Sequence, residues 1–335
     1  MMQYIIKRII GMIPTLILIS MLVFLAIEIV PGDYVEVMRA QEGDSAGMSL
    51  HSDMELTDGQ IELLKERYGL NMPLYVRYWK WFSRFVRGDL GVSWAHHNRP
   101  IVEILSGRLG LTILVSLCTT VFIYMVSFPI GIYSAVRQYS IGDNIVTFVS
   151  FIGLSIPNFL LALILIVISF YTFKQIPGGL FSAKFMEAPW SLPRVWDLLT
   201  HLWIPVVVLG TAGTASTVRI LRANMLDEMG RQYVDTARAK GLKETKILLK
   251  YPLRIALNPF ITGIGYILPS LIGGELIVSL VLNLPTTGPL LYDAVIKHDQ
   301  FLAGGIVMIL SGLLVIGNLI ADLLLSWVDP RIRYE

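Results

Sequence analysis

Long apolar runs separated by polar stretches set the pattern of this chain. The first run extends from Ile9 to Val30. As a helix it would measure about 33 Å, enough to cross a bilayer core. Lys7 and Arg8 precede it, and it closes in Glu28-Ile29-Val30-Pro31-Gly32-Asp33. That ending lacks the small-residue cleavage site of a secretory signal, so residues 1–30 read as a retained anchor helix. Five further runs follow, at Leu111–Ala135, Ile145–Phe173, His201–Ile220, Asn258–Leu282 and Ala303–Trp327. The pattern therefore predicts an all-α integral membrane protein with six spans.

Between the first two runs, residues 31–109 are polar and mixed in charge. Thr57-Asp58-Gly59-Gln60 fits a capping box, and its helix would end at Gly69. Pro73 opens a second helix rich in Tyr, Trp and Phe, and Gly88-Asp89-Leu90-Gly91 reads as a turn. This segment predicts a small helical cap outside the membrane, with Trp79, Trp81 and Trp94 suited to an interfacial belt. Pro129, Pro157, Pro205 and Pro269 fall inside spans, which packed membrane helices tolerate. The small residues Gly210 to Ser216 offer a face on which helix backbones can approach closely.

Composition narrows the classes. The 335 residues are 54% hydrophobic and only 16% charged, with a mean hydropathy of +0.64. That balance excludes a disordered chain and argues against an ordinary soluble enzyme. The net charge of +2 sets up no strong field toward nucleic acid. Cys118 is the single cysteine, so no internal disulfide can form, and the five histidines show no zinc-ligand spacing.

Basic residues orient the chain. With six spans, one side would carry 14 Lys and Arg and the other 13. Long loops contribute little to orientation, and 31–109 is long. Short segments alone divide 14 against 4, which places both termini in the cytoplasm and 31–109 outside. Three carboxylates fall in or near the spans, Glu28, Glu275 and Asp322. Intramembrane acids are costly and point to function by default. Glu275, following Gly273 and Gly274, is the candidate for lining a translocation path, although it could equally bond to Ser279 or a neighbouring helix. No relay of such groups suggests a proton-driven carrier.

The most informative stretch is the predicted cytoplasmic loop 222–255. Residues 231–240 suit a helix, Gly241 suits its left-handed cap, and a second helix over Lys243–Lys250 would end before Pro252. Val234, Ala237 and Ala239 are modest in size, so this helix could press against another protein. A basic loop held to anionic lipid is the competing reading.

Tyr233-Val234-Asp235-Thr236-Ala237-Arg238-Ala239-Lys240-Gly241-Leu242 resembles the EAA loop of ABC importer permeases, in the form carried by dipeptide and oligopeptide permeases. The acidic residue of that motif falls on Asp235, an alanine on Ala237 and the glycine on Gly241, with Thr236 in place of the first alanine. Four further tags in the right order are similar to the same family. They are Lys7 to Asp33, Gly88 to Ser93, Ser155-Ile156-Pro157-Asn158-Phe159, and Trp327-Val328-Asp329-Pro330-Arg331-Ile332-Arg333-Tyr334.

The resemblance implies a type I ABC importer permease, the first of two paired subunits, in a prokaryotic inner membrane. It implies a permease core over 110–330, a cytoplasmic tail at 331–335, and a coupling role for Tyr233, Asp235, Thr236, Ala237, Lys240, Gly241 and Leu242. The implied partners are a second homologous permease, two ATP-binding subunits and an external solute-binding protein, with no nucleic acid. ATP and magnesium would sit on the ATPase partners, and this chain would bind no cofactor and catalyse no reaction. In agreement, the sequence contains no Gly-Lys dipeptide and hence no P-loop. The segment Ser279 to Pro289 departs from the family's aromatic and Pro-Gly turn, which leaves oligosaccharides as a second substrate class behind short peptides. Nickel or another small cofactor is a third. An ion-gradient-driven transporter and a non-transporting scaffold are the rivals from other classes.

Overall fold

The computed structural model describes residues 2–29, 71–96, 98–173, 178–186, 188–263 and 276–328. Among these, helices dominate, with one two-stranded hairpin. Ile101–Val136, Leu192–Met229 and Gln300–Ser326 are long and apolar enough to cross a membrane. The bent pair Ile141–Ser155 and Asn158–Thr172 could form a fourth span, and Ile10–Ala26 is a shorter apolar helix. The fifth predicted span falls partly outside the described residues, and the capping-box helix, Pro269 and the tail from 329 lie wholly outside them.

The chain divides into two compact units, one formed by 2–109 with 289–313 and the other by 110–288 with 314–335. The sequence pattern had separated the anchor from the cap and both from 289–313.

In the first unit, α1 (Met2–Glu28) meets α2 (Leu74–Val86), which starts directly after Pro73. A proline at that position costs nothing, because its missing N–H would be unpaired at a helix start. Tyr78 and Trp81, three residues apart, form the buried face of α2 and pack with Phe24 of α1 and with Met308. Phe24 meets Tyr78 edge-on at 5.6 Å, and the Tyr78 hydroxyl lies 2.8 Å from that of Ser20. Glu28 is ion-paired to Arg77, whose other nitrogen donates to Gln300 at 3.3 Å. Glu28 is thereby explained as a structural partner.

The predicted turn is present, with Gly88 and Gly91 both at φ +80°. Asp89 accepts from the Gly91 N–H at 2.8 Å and from Arg84 at 3.0 Å, and these donors hold its carboxyl below the usual range. The hairpin β1 (Val92–Ser93) and β2 (Arg99–Pro100) follows, pairing Val92 with Pro100. It is a small β exception to the all-α expectation.

The long helices are α3 (Ile101–Val136), which belongs to the second unit from residue 110 onward, and α6 (Leu192–Met229) of that unit. The first begins ten residues before its predicted span. The second overruns the predicted His201–Ile220 at both ends, because Pro193 sits in its first turn and polar residues continue the helix beyond the apolar run. The predicted third span is not continuous. It breaks into α4 (Ile141–Ser155) and α5 (Asn158–Phe173), bent by 97°. Pro157 lies at the break, and Ile156 before it is extended at φ −79°, ψ 119°. Proline removes a helical N–H and disfavours the helical region for its predecessor.

The small face of α6 performs as its composition predicts. A Cβ on Gly210 would lie 2.5 Å from the Phe122 ring, and one on Gly213 would lie 2.5 Å from Ile123 Cδ1. On α4, a Cβ on Gly153 would lie 3.4 Å from both Ala215 and Thr211. Gly210→Ala is expected to lower stability by about 1–3 kcal/mol through overpacking. Gly213→Ala should cost less, because the tip of Ile123 can rotate away while a packed ring cannot. Thermal unfolding of both variants in detergent checks the order, and equal midpoints would refute it.

Candidate coupling loop

After α6, the chain forms α7 (Gln232–Ala239), α8 (Glu244–Lys250) and α9 (Pro252–Ala256), then α10 (Asn258–Gly263). The first two match the predicted helices to within a residue at most ends. Lys240 ends α7, and Gly241 takes the left-handed conformation at φ +73°. The Gly241 N–H bonds to the Arg238 carbonyl at 2.9 Å, and that of Leu242 to the Ala237 carbonyl at 3.3 Å. This is the hydrogen-bond pattern of a Schellman cap. Its usual apolar contact is present too, since Leu242 and Ala237 share one cluster.

That cluster is a miniature core. Val234, Ala237 and Ile247 are buried, with Tyr233, Leu242 and Tyr251 packed around them. The small faces of Val234 and Ala237 therefore point inward, between α7 and α8. This corrects the expectation that they form a contact surface, and Ala237 holds the loop's shape instead. Residues at positions i and i+3 of a helix share a face, and here that face is taken up by α8.

The opposite face is polar. Asp235, Thr236, Lys240 and Gly241 are exposed. The Thr236 hydroxyl donates back to the Gln232 carbonyl at 2.9 Å. Arg238 joins the two helices, reaching Glu244 at 2.8 Å and Asp235 at 3.3 Å. The Arg238 guanidinium holds the Glu244 carboxyl below its ordinary range. Tyr233 donates its hydroxyl to Glu228 at the end of α6, and burial together with that acid pushes its pKa up to about 12. These links are not legible in the sequence alone. Arg238 and Glu244 lie six residues apart across a turn, a spacing that pairs only once the turn's geometry is known.

Downstream, Leu221 and Met225 of α6 are buried with Leu248, Ala256 and Phe260, while Tyr124 stacks on Phe128 beside them. The loop is thus seated on the end of α6 and is no loose tether. Gly273, Gly274 and Glu275 lie outside the described residues. Ser279, the suggested partner of Glu275, is buried on α11 (Leu276–Val281). One further helix, α12 (Thr287–Ile296), was not foreseen, and the Thr287 N–H donates to Thr112 Oγ1 at 2.9 Å. His201 lines a cavity of about 1,200 Å³ with Phe181, Trp196, Asp197 and Trp203.

A set of long apolar helices with a compact, self-capped polar loop is the build of a membrane-spanning protein. Residues 127–334 match the binding-protein-dependent transport system inner membrane component, and residues 1–116 match the N-terminal region of such membrane components. The chain belongs to this permease family. It is 39% identical to the oligopeptide transport system permease protein AppB of Bacillus subtilis (strain 168), over the full length of both chains. It is 33% identical to the glutathione transport system permease protein GsiC of Escherichia coli O6:H1 and 32% identical to that of strain K12, again over the full length of both. These matches make it a multi-pass inner-membrane component of an ABC importer.

Proposed function

We propose that this chain is the first of two paired permease subunits of an ATP-driven importer of short peptides. The observation that carries the coupling assignment is the exposed polar face of α7, held rigid by its own core. Asp235, Thr236 and Lys240 would meet a partner ATPase, while Tyr233, Ala237, Gly241 and Leu242 maintain the shape that is met. Two ATPases would bind ATP and magnesium, and closure on ATP would push the loop and open the path outward. The solute-binding protein would then release its peptide, and hydrolysis would reset the inward state. Such a cycle needs ATP to favour one conformation over the other. The full-length likeness to an oligopeptide and a glutathione permease supports peptides over oligosaccharides.

Both termini and the coupling loop lie in the cytoplasm in this reading, an orientation that the basic short segments favour. The chain itself is non-catalytic. Gly43-Asp44-Ser45-Ala46-Gly47 has the G-x-S-x-G spacing, but it follows the mixed polar stretch Val35-Glu36-Val37-Met38-Arg39-Ala40-Gln41-Glu42. A nucleophile elbow needs an apolar strand there.

A mild-detergent pull-down from the native membrane tests the reading. It should recover an ATPase and a second permease with ATP hydrolysis, and Asp235→Lys should reduce ATPase recovery severalfold. A lone chain that transports in liposomes on an ion gradient would overturn it.

A further inference from the structure

The cytoplasmic end of α6 carries a second rigid connection. Arg222 forms a two-pronged bond with Asp143 on the first turn of α4, Nε to Oδ1 and Nη2 to Oδ2, both at 2.8 Å. Asp143 is almost fully buried and also accepts the Ser134 hydroxyl from α3 and the Tyr139 N–H at 2.9 Å from the turn between them. Its own N–H is capped by Ser140 at 3.2 Å. One carboxylate thus gathers four donors from α3, the α3–α4 turn and α6. Paired forks of this kind fix orientation as well as distance.

Two neighbouring features give the pair a mechanical consequence. Eight residues after Arg222, α6 ends at Gly230 and passes directly into α7, with Tyr233 bonded back to Glu228. Beyond Asp143, α4 lies along α6 through Gly153, Ala215 and Thr211, and ends at the 97° break before α5. A displacement of the loop would therefore reach α4, with the break at Pro157 as the place where bending would be absorbed.

We propose that Asp143 and Arg222 are positioning residues that make α4 travel with the coupling loop as one body during transport. The proposal rests on the importer reading for its driving force. Coupling between sites needs a physical element that both ends bias, and this pair with α4 supplies one.

The test uses the assembled importer in nanodiscs and proteoliposomes, with Cys118→Ala as background. Spin labels placed at the exposed positions Asn144 and Asp227 report the α4–α6 distance. In the wild-type pair this distance should be narrow and equal with and without ATP and vanadate. Asp143→Asn, and separately the charge-preserving Arg222→Lys, should broaden it. Peptide moved per ATP hydrolysed should fall about tenfold, equivalent to about 1.4 kcal/mol, while ATP hydrolysis stays within about twofold. A purely structural role would instead lower assembly or hydrolysis and transport together. A wild-type distance that changes with nucleotide overturns the proposal. So does a narrow distance with an unchanged transport ratio in both variants. Absence of ATP-driven uptake by the wild-type complex would defeat the importer reading, and the label distances in that complex would still decide whether the pair locks α4 to α6.

Discussion

Replacing Gly241 with valine is expected to reduce ATP-driven uptake at least about tenfold while leaving the chain in the membrane, a loss equivalent to about 1.4 kcal/mol. At φ +73° an L side chain is strained, by about 1–2 kcal/mol, and β-branching makes the left-handed region worse. No neighbouring atom lies within 4 Å of a Cβ built on Gly241, so the penalty is in the backbone and cannot be relieved by repacking. The chain's cheapest escape is to leave the left-handed region. That would break the Leu242 to Ala237 bond and withdraw Leu242 from the cluster with Val234 and Ile247. The exposed face of α7 would then lose its fixed relation to α8. Gly241→Asn is the control, since asparagine adopts this conformation with little cost. Uptake into proteoliposomes, with membrane abundance measured alongside, checks both variants. Normal uptake by the valine variant would separate the cap from coupling, and a loss equal in both would point to the side chain instead of the backbone.

The loop was legible in the sequence because its signals are local. A helix of eight residues, a capping glycine and a proline stop are all written within twenty positions. The second, fourth and sixth predicted spans were legible as apolar runs, but their ends were not. Polar residues such as Arg222, Asp227 and Glu228 continue α6 well beyond its apolar run, and hydropathy has no means of marking that. Pro157 was seen, yet a proline in a span can give a mild kink or a full break. The choice depends on what packs against the freed backbone. The pairs that organise each unit were beyond reach for a different reason. Arg222 and Asp143 are 79 positions apart, and Ser93 and Asp299 are 206 apart. Charge complementarity alone cannot select such partners from 27 basic and 25 acidic residues. The inward turn of Val234 and Ala237 was misread for a related reason. Small residues on a short helix suit any close neighbour, and only the fold reveals that the neighbour is α8.

Asp299→Ala is expected to have the largest effect on stability in the N-terminal unit. This side chain is fully buried at the start of α13 (Gln300–Val328). It caps that helix by accepting the Leu302 N–H at 3.1 Å, and it also accepts the Ser93 hydroxyl at 2.5 Å and the Ala95 N–H at 3.0 Å. Hairpin and helix are thus joined through a single carboxyl group, with Trp94 edge-on to Phe301 at 4.9 Å alongside. Alanine would leave the buried Leu302 N–H and the half-buried Ala95 N–H without this acceptor, and would leave the buried Ser93 hydroxyl only His96 Nδ1, 2.9 Å away. A buried donor left unpaired costs about 1–3 kcal/mol, and with the half-buried Ala95 N–H adding less, the total should reach at least about 2 kcal/mol. Ser93→Ala removes one donor together with its need for a partner, and should cost about 1 kcal/mol. The contrast between the two is the informative quantity. Thermal unfolding in detergent should place the Asp299→Ala midpoint well below that of Ser93→Ala, and limited proteolysis should open the hairpin around Ala95 only in the former. Matching midpoints would mean that the hairpin is held by its aromatic contacts, with Asp299 contributing no more than an ordinary helix cap.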